Sequence, residues 1–463
     1  MAISKPIISL INMKNRFVAL LLLLLFVVST ATAQGSQSNN ILPYPIHQTK
    51  LDNGLNVVTV PYNSPGLAAF YIVVRAGSRE EVEKGKTGFA HFFEHMMFRG
   101  TDKYSKEAYG DIMKEMGAAA NANTSIDRTV YHMTGNAEML DKMFEIEADR
   151  FQNLKYSVHD FKTEAGAVKG EYTKNSASPY QQLYEKTVST AFKNHTYAHT
   201  TMGFFEDVVD MPNQYDYSLT FFDRFYRPEY ATIVVVGDVT PDKVNSLAKQ
   251  YFGEWKRGNY KPEIPKEPKQ SGTRFAHVQQ QGFPPYLSLN FKGPAFSDKD
   301  KDLPALSILT TILFAENSDL YRKLVVQEQK ARFIGGGPQF SRDPNLISVS
   351  ASVVNANDIQ YVKDELMKTL NAAKTKPIDA KKIEETKSRI KYSFAMSMDS
   401  PDAIANSLAR FIWLTGDPES LNNIYRVFDT VTAQDLQHVA KKYFVPETLT
   451  VGTIAPSEKS PVK

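Results

Sequence analysis

The stretch FYRPEYATIVVVGDVTP, Phe225 to Pro241, returns in outline as YFVPETLTVGTIAP, Tyr443 to Pro456. Each runs an aromatic pair, one residue, Pro-Glu, a β-branched run and a glycine. Pro228 matches Pro446 and Gly237 matches Gly452, offsets of 218 and 215. The opening of each half agrees: AAFYIVVRAGS, Ala68 to Ser78, parallels PYLSLNFKGPA, Pro285 to Ala295, and Gly77 matches Gly293 at an offset of 216. Three anchors with nearly one spacing predict a duplicated unit. A chain of 463 residues is also too long for one typical core. The stretch from Lys256 to Gly272 carries three prolines, five lysines or arginines and no apolar period. It reads as the connection. The expected division is 41–255, a linker over 256–274, and 275–463.

Within each half, strand-like and helix-like patterns alternate. GLNVVTV and AAFYIVVRA are β-branched runs with turn signals between them. Ala137 to Asn153 and Asp358 to Lys374 carry apolar residues at helical spacing. The expected class is α+β, with helices laid on a mostly antiparallel sheet in each half.

The N-terminus reads as an export signal. Lys14 and Arg16 precede the apolar run Phe17 to Val28, and Ala31 and Ala33 give a small-x-small exit. Residues 1–33 are the expected leader, starting at Met1 or Met13, and the expected location is periplasmic or secreted. Removing Lys5, Lys14 and Arg16 from the 54 basic residues leaves 51 against 51 acidic. A balanced charge gives no footprint for nucleic acid or an anionic membrane. With no cysteine in the chain, a thiol nucleophile and disulfides are excluded, and a metal must be held by His, Asp or Glu.

GFAHFFEHMMFRG, Gly88 to Gly100, supplies such a set. On a helix His91 and His95 share one face, one turn apart, the span two ligands of one zinc require. Glu94 borders the same face and can reach a metal-held water as a base. Phe92, Phe93, Met96, Met97 and Phe98 would bury the helix. The alternative is a buried helix with two unrelated histidines. A catalytic zinc needs a third protein ligand. Glu164 and Glu171, two helical turns apart, both qualify on pattern alone. Period-2 alternation of Asn121, Asn123 and Ser125 with Ala122, Thr124 and Ile126 suggests an edge strand able to pair with an extended peptide.

HFFEH followed by Glu171 resembles the insulysin/pitrilysin family of inverted-zincin (HxxEH) metallopeptidases, in the two-domain branch with bacterial relatives of the mitochondrial processing peptidase. The resemblance covers nearly the whole chain after the leader. It implies one Zn2+ per chain, held by His91, His95 and Glu171. Glu94 becomes the general base and Glu164 a second acidic residue of the catalytic machinery, in a supporting role. Asn121 and Ala122 match the segment that contacts the substrate backbone. The implied activity is zinc-dependent endopeptidase action on peptides or small unfolded polypeptides. The competing expectation is a non-catalytic assembly or peptide-binding subunit of the same fold.

Two departures qualify the resemblance. The second half has no histidine in the segment matching the motif helix, so no second metal site is expected there. Active members carry an Arg and, seven residues on, a Tyr in that half. Val325 and Arg332 stand at those positions here, with Tyr321, Arg322 and Lys323 nearby. A second homologous subunit supplying the Arg/Tyr pair is therefore expected, or a homodimer. FIGGGP lacks the residues of a phosphate loop and is expected to be a turn. His195 and His199 lack a central glutamate and are expected to lie in a loop near the cleft.

Overall fold

The structure, a computed structural model, describes residues 40–462. The expected leader lies outside the described residues. In the first half the strands are β1 (His47–Lys50), β2 (Asn56–Pro61), β3 (Leu67–Val74), β4 (Ala119–Ser125), β5 (Arg128–Asn136) and β6 (Ala231–Gly237). In the second they are β7 (Arg274–Gln279), β8 (Tyr286–Lys292), β9 (Ala331–Pro338), β10 (Leu346–Val353) and β11 (Leu449–Ala455). The first sheet has the order β1-β2-β6-β3-β5-β4 and the second β7-β11-β8-β10-β9. Apart from the extra β1, the two orders superpose strand for strand. In each sheet a single pair is parallel, β2 with β6 and β7 with β11. The duplication read from the sequence is thus present in the topology.

The Pro228 and Pro446 anchors hold: each opens a 3-10 turn immediately before β6 or β11. The Gly237 and Gly452 match does not. Gly237 ends β6, whereas Gly452 lies in the middle of β11, and the residue in Gly237's place is Ala455. FIGGGP is likewise not a turn. Gly335, Gly336 and Gly337 pair with Ser350, Val349 and Ser348 along β9, the exposed edge of the second sheet.

Among the helices are α1 (Phe89–Met96), α2 (Val158–Ser176), α3 (Pro179–Ala191), α4 (Asp302–Phe314), α5 (Ala380–Met396) and α6 (Pro401–Thr415). Proline at the first position starts α3 and α6, where its missing N–H costs nothing. β3 is buried on both faces, which explains its unbroken apolar run. Ala68, Phe70, Ile72 and Val74 join the core under the first-half helices. Ala69, Tyr71 and Val73 join a second core containing Ile404 and Leu408 of α6. So α6, from the second half, packs on β3 and β6, and α3, from the first half, packs on β7 and β11. Tyr71 donates to Asp402 of α6 at 2.8 Å. Each sheet is closed by a helix of the other half. Among the described residues no helix is long and apolar enough to cross a membrane.

Candidate metal centre and active-site cleft

The motif helix α1 is short because its N-terminus is set by Gly88 in the left-handed region and it ends at Met96. Phe89, Phe92, Phe93 and Met96 are buried, and Phe93 stacks on Phe221 with ring centroids 5.3 Å apart. That packing turns the opposite face, with His91, Glu94 and His95, towards the cleft. α2 starts at a capping box: Ser157 Oγ accepts from Asp160 N, and Asp160 accepts from Ser157 N, both at 3.1 Å. Phe161, Ala165, Val168 and Tyr172 bury its inner face, and this presents Glu164 and Glu171 to α1.

Three donor atoms, one each from His91, His95 and Glu171, lie within 4.8 Å of one another. Glu171 Oε2 is 3.7 Å from His91 Nε2 and 3.4 Å from His95 Nε2. Glu164 does something different. Its Oε1 is 2.8 Å from His95 Nδ1, and its Oε2 accepts from Arg99 Nε at 2.5 Å. That bond fixes the proton of His95 on Nδ1 and leaves the Nε2 lone pair facing Glu171 and His91. Glu164 therefore orients the His95 ring and stands outside the donor cluster.

The electrostatics agree with this division. Burial, and then the neighbouring His95, push the imidazolium of His91 down, which favours the neutral ligand form. The hydrogen bond that His95 donates to Glu164 pushes its pKa up. Burial works against ionisation of Glu164, but the bonds from His95 and Arg99 outweigh it and hold its carboxyl below the usual range. Two imidazoles and a carboxylate, with an oriented ring and room for a fourth ligand, are the donor set of a catalytic zinc. The residues fit the metal.

Glu94 stands beside this cluster. Its Oε2 accepts from Thr124 Oγ1 of β4 at 2.6 Å. Glu94 borders two cavities. One of about 500 Å³ is lined by His91, Glu171, Thr124, Tyr184 and Met202. The other, of about 290 Å³, is lined by His95, Phe98, Lys106 and Asn121. β4 forms the free edge of the first sheet alongside them. Asn121 is exposed and Ala122 buried, and the Ala122 N–H donates to Asn121 Oδ1 at 2.9 Å. A peptide strand pairing with Ala122 must move that side chain.

Sequence reasoning missed Thr124 and Arg99 as parts of the site. Their contacts depend on a strand and a helix end meeting in space, and no local pattern signals that. His195 and His199 do not form a metal pair. His195 Nε2 is 3.0 Å from Asp343, and its Nδ1 accepts from Tyr197 N at 3.0 Å. His199 Nδ1 donates to Thr200 O at 2.9 Å.

Residues 57–203 match the family described as Insulinase (Peptidase family M16), and residues 214–390 match the one described as Peptidase M16 inactive domain. The zinc protease PqqE of Helicobacter pylori is 31% identical over 413 residues, spanning 86% of this chain and 90% of that protein. A probable mitochondrial-processing peptidase subunit beta of Schizosaccharomyces pombe is 24% identical over 436 residues, spanning 89% and 91%. The crystal structure of a protease from Helicobacter pylori superposes with a TM-score of 0.81 at 29% identity, covering 89% of this chain and 99% of that one.

Proposed function

Because the chain belongs to the insulinase family of peptidases, M16, we propose that it is an exported zinc endopeptidase cutting peptides or small unfolded polypeptides. The observation that carries this is the convergence of His91, His95 and Glu171 within 4.8 Å, with Glu94 on the same helix face. A zinc ion held there would polarise the scissile carbonyl and lower the pKa of a water. Glu94 takes a proton from the attacking water and returns it to the leaving amine. Thr124 occupies Glu94 Oε2 and leaves Oε1 for that proton. Glu164 keeps His95 in the ligand tautomer. The β4 edge, through Asn121 and Ala122, takes the substrate backbone in extended form, which fits many sequences. A non-catalytic subunit would have no use for a base beside a metal with three protein ligands.

We further propose that this chain is the catalytic member of a two-chain enzyme. The positions where the family resemblance expects an Arg and a Tyr hold Val325, in the π-helical turn Arg322–Gln327, and the exposed Arg332 on β9. Lys323, nearby, is paired with Glu365 at 2.7 Å. A homologous partner would bring the missing pair over the cleft. One relative is by its name a peptidase subunit. The test is cleavage of an unstructured peptide pool by the purified zinc-loaded chain, with and without chelator. Chelator-sensitive cleavage supports the peptidase and removes the need for a partner. No cleavage despite one zinc per chain, restored by a homologous second chain, supports the two-chain form. No cleavage under either condition would overturn the peptidase.

A further inference from the structure

The N-terminus of α1 has no cap of the usual kind. Gly88 precedes it without a side chain, and its first turn contains no acid. The orphan donors are met instead by Glu81, seven residues before Gly88. Glu81 Oε2 accepts from Gly88 N at 2.8 Å, and Oε1 accepts from Ala90 N at 2.7 Å. The residue is 3% exposed and its side chain fully buried. Among the described residues its one ion-pair neighbour is His199, whose Nδ1 is 3.7 Å away. No lysine or arginine compensates it, and burial pushes its carboxyl up to about 8. Such a group is costly to bury, so the contacts it makes deserve an explanation.

On the other side, the same helix end is gripped by the cavity wall. Thr200, Thr201 and Met202 line the larger cavity. Gly203, at φ +80°, lies so close that a Cβ there would stand 2.7 Å from Gly88 N. A Cβ on Gly88 would stand 2.9 Å from Met202 O. Thr87 donates to Asp207 at 2.6 Å and accepts from Phe204 N at 2.8 Å. An eight-residue helix makes little more than two turns, so any slip at Gly88 is passed directly to His91.

We propose that Glu81 is a positioning residue for the metal helix: its two carboxyl oxygens pin the first turn of α1 against the cleft wall and so fix where His91 and His95 point. This rests on the metal site argued above. The test is zinc affinity, measured by chelator competition, on the full chain carrying Glu81→Gln. The amide keeps the volume but can accept at one atom only, so one of the two bonds is lost. Zinc affinity is expected to fall about tenfold or more, the size seen when a partner of a ligand is removed. The metal-free melting temperature should fall by only the few degrees that one lost buried hydrogen bond costs; zinc affinity is therefore read on the folded chain well below that midpoint, where a merely structural role would leave it unchanged. Should that variant fail to fold, Glu81→Asp gives the same readout, since its carboxylate is one methylene short of both amides. Unchanged zinc affinity would overturn the positioning role and leave the metal site standing. A wild-type chain that binds no zinc would overturn both.

Discussion

Glu94 depends on a hydroxyl from another element. Thr124 Oγ1 holds Oε2 at 2.6 Å, while the residue borders both cavities of the cleft. Replacing Thr124 by Val removes the donor at nearly constant volume. Turnover is expected to fall about tenfold, a mis-set general base being worth up to 10²–10⁴, while zinc content stays at one per chain. Steady-state cleavage and metal analysis on the same sample check this. His91, Glu94 and His95 were legible in the sequence because one helix turn decides their geometry. Helical spacing alone does not choose between Glu164 and Glu171, since both lie on α2 two turns apart, and the choice of Glu171 came from the family resemblance. The approach of α2 to α1 separates them, giving Glu171 to the donor cluster and Glu164 to His95 Nδ1 and Arg99. Glu81 and Thr124 were invisible for the same reason.

At the scale of elements, α2 carries both of these acids, and its start is fixed by the reciprocal bonds of Ser157 and Asp160. Ser157→Ala should cost about 1 kcal/mol, seen as a lower urea midpoint with an unchanged slope. No loss would mean that packing of Phe161 and Val168 alone sets the helix start. The helices at Leu140–Asn153 and Ile359–Ala373 were legible from apolar spacing. So was the β4 segment, from its alternation. The triple glycine was misread as a turn because glycine is a turn signal locally, whereas here the ladder to β10 overrides it. The π-helical turn that contains Val325 had no sequence signal at all.

The whole molecule is held by crossings between its halves. The duplication was legible, because two copies of one pattern need no tertiary knowledge. The exchange of α3 and α6 between sheets was not, since each helix looks amphipathic whichever sheet it covers. A polar crossing adds to it. Asp343, in the loop between β9 and β10, accepts from Arg79 Nε at 2.6 Å and lies 3.0 Å from His195 Nε2. Arg342 donates to Glu80 at 2.7 Å. Burial opposes ionisation of Asp343, but the bonds from His195 and Arg79 outweigh it and hold the carboxyl well below its ordinary value. A depressed folded pKa stabilises above the unfolded value of about 4 and loses that stability as pH falls towards the folded one. Asp343→Asn should therefore cost about 1–2 kcal/mol at pH 7, the side chain being partly exposed. The difference should shrink as the pH is lowered below about 4, when both proteins are compared by urea unfolding. A constant difference across that range would show that the charge of Asp343 contributes nothing.

In this assignment Glu94 moves the proton and does not hold the metal. The measurement that tests it most directly is zinc content and peptide cleavage in Glu94→Gln, beside the wild-type chain under the conditions that give cleavage. One zinc per chain with turnover reduced by at least about 10² is the expected result. Undiminished turnover, or loss of the zinc itself, would contradict the assignment of Glu94 as the base.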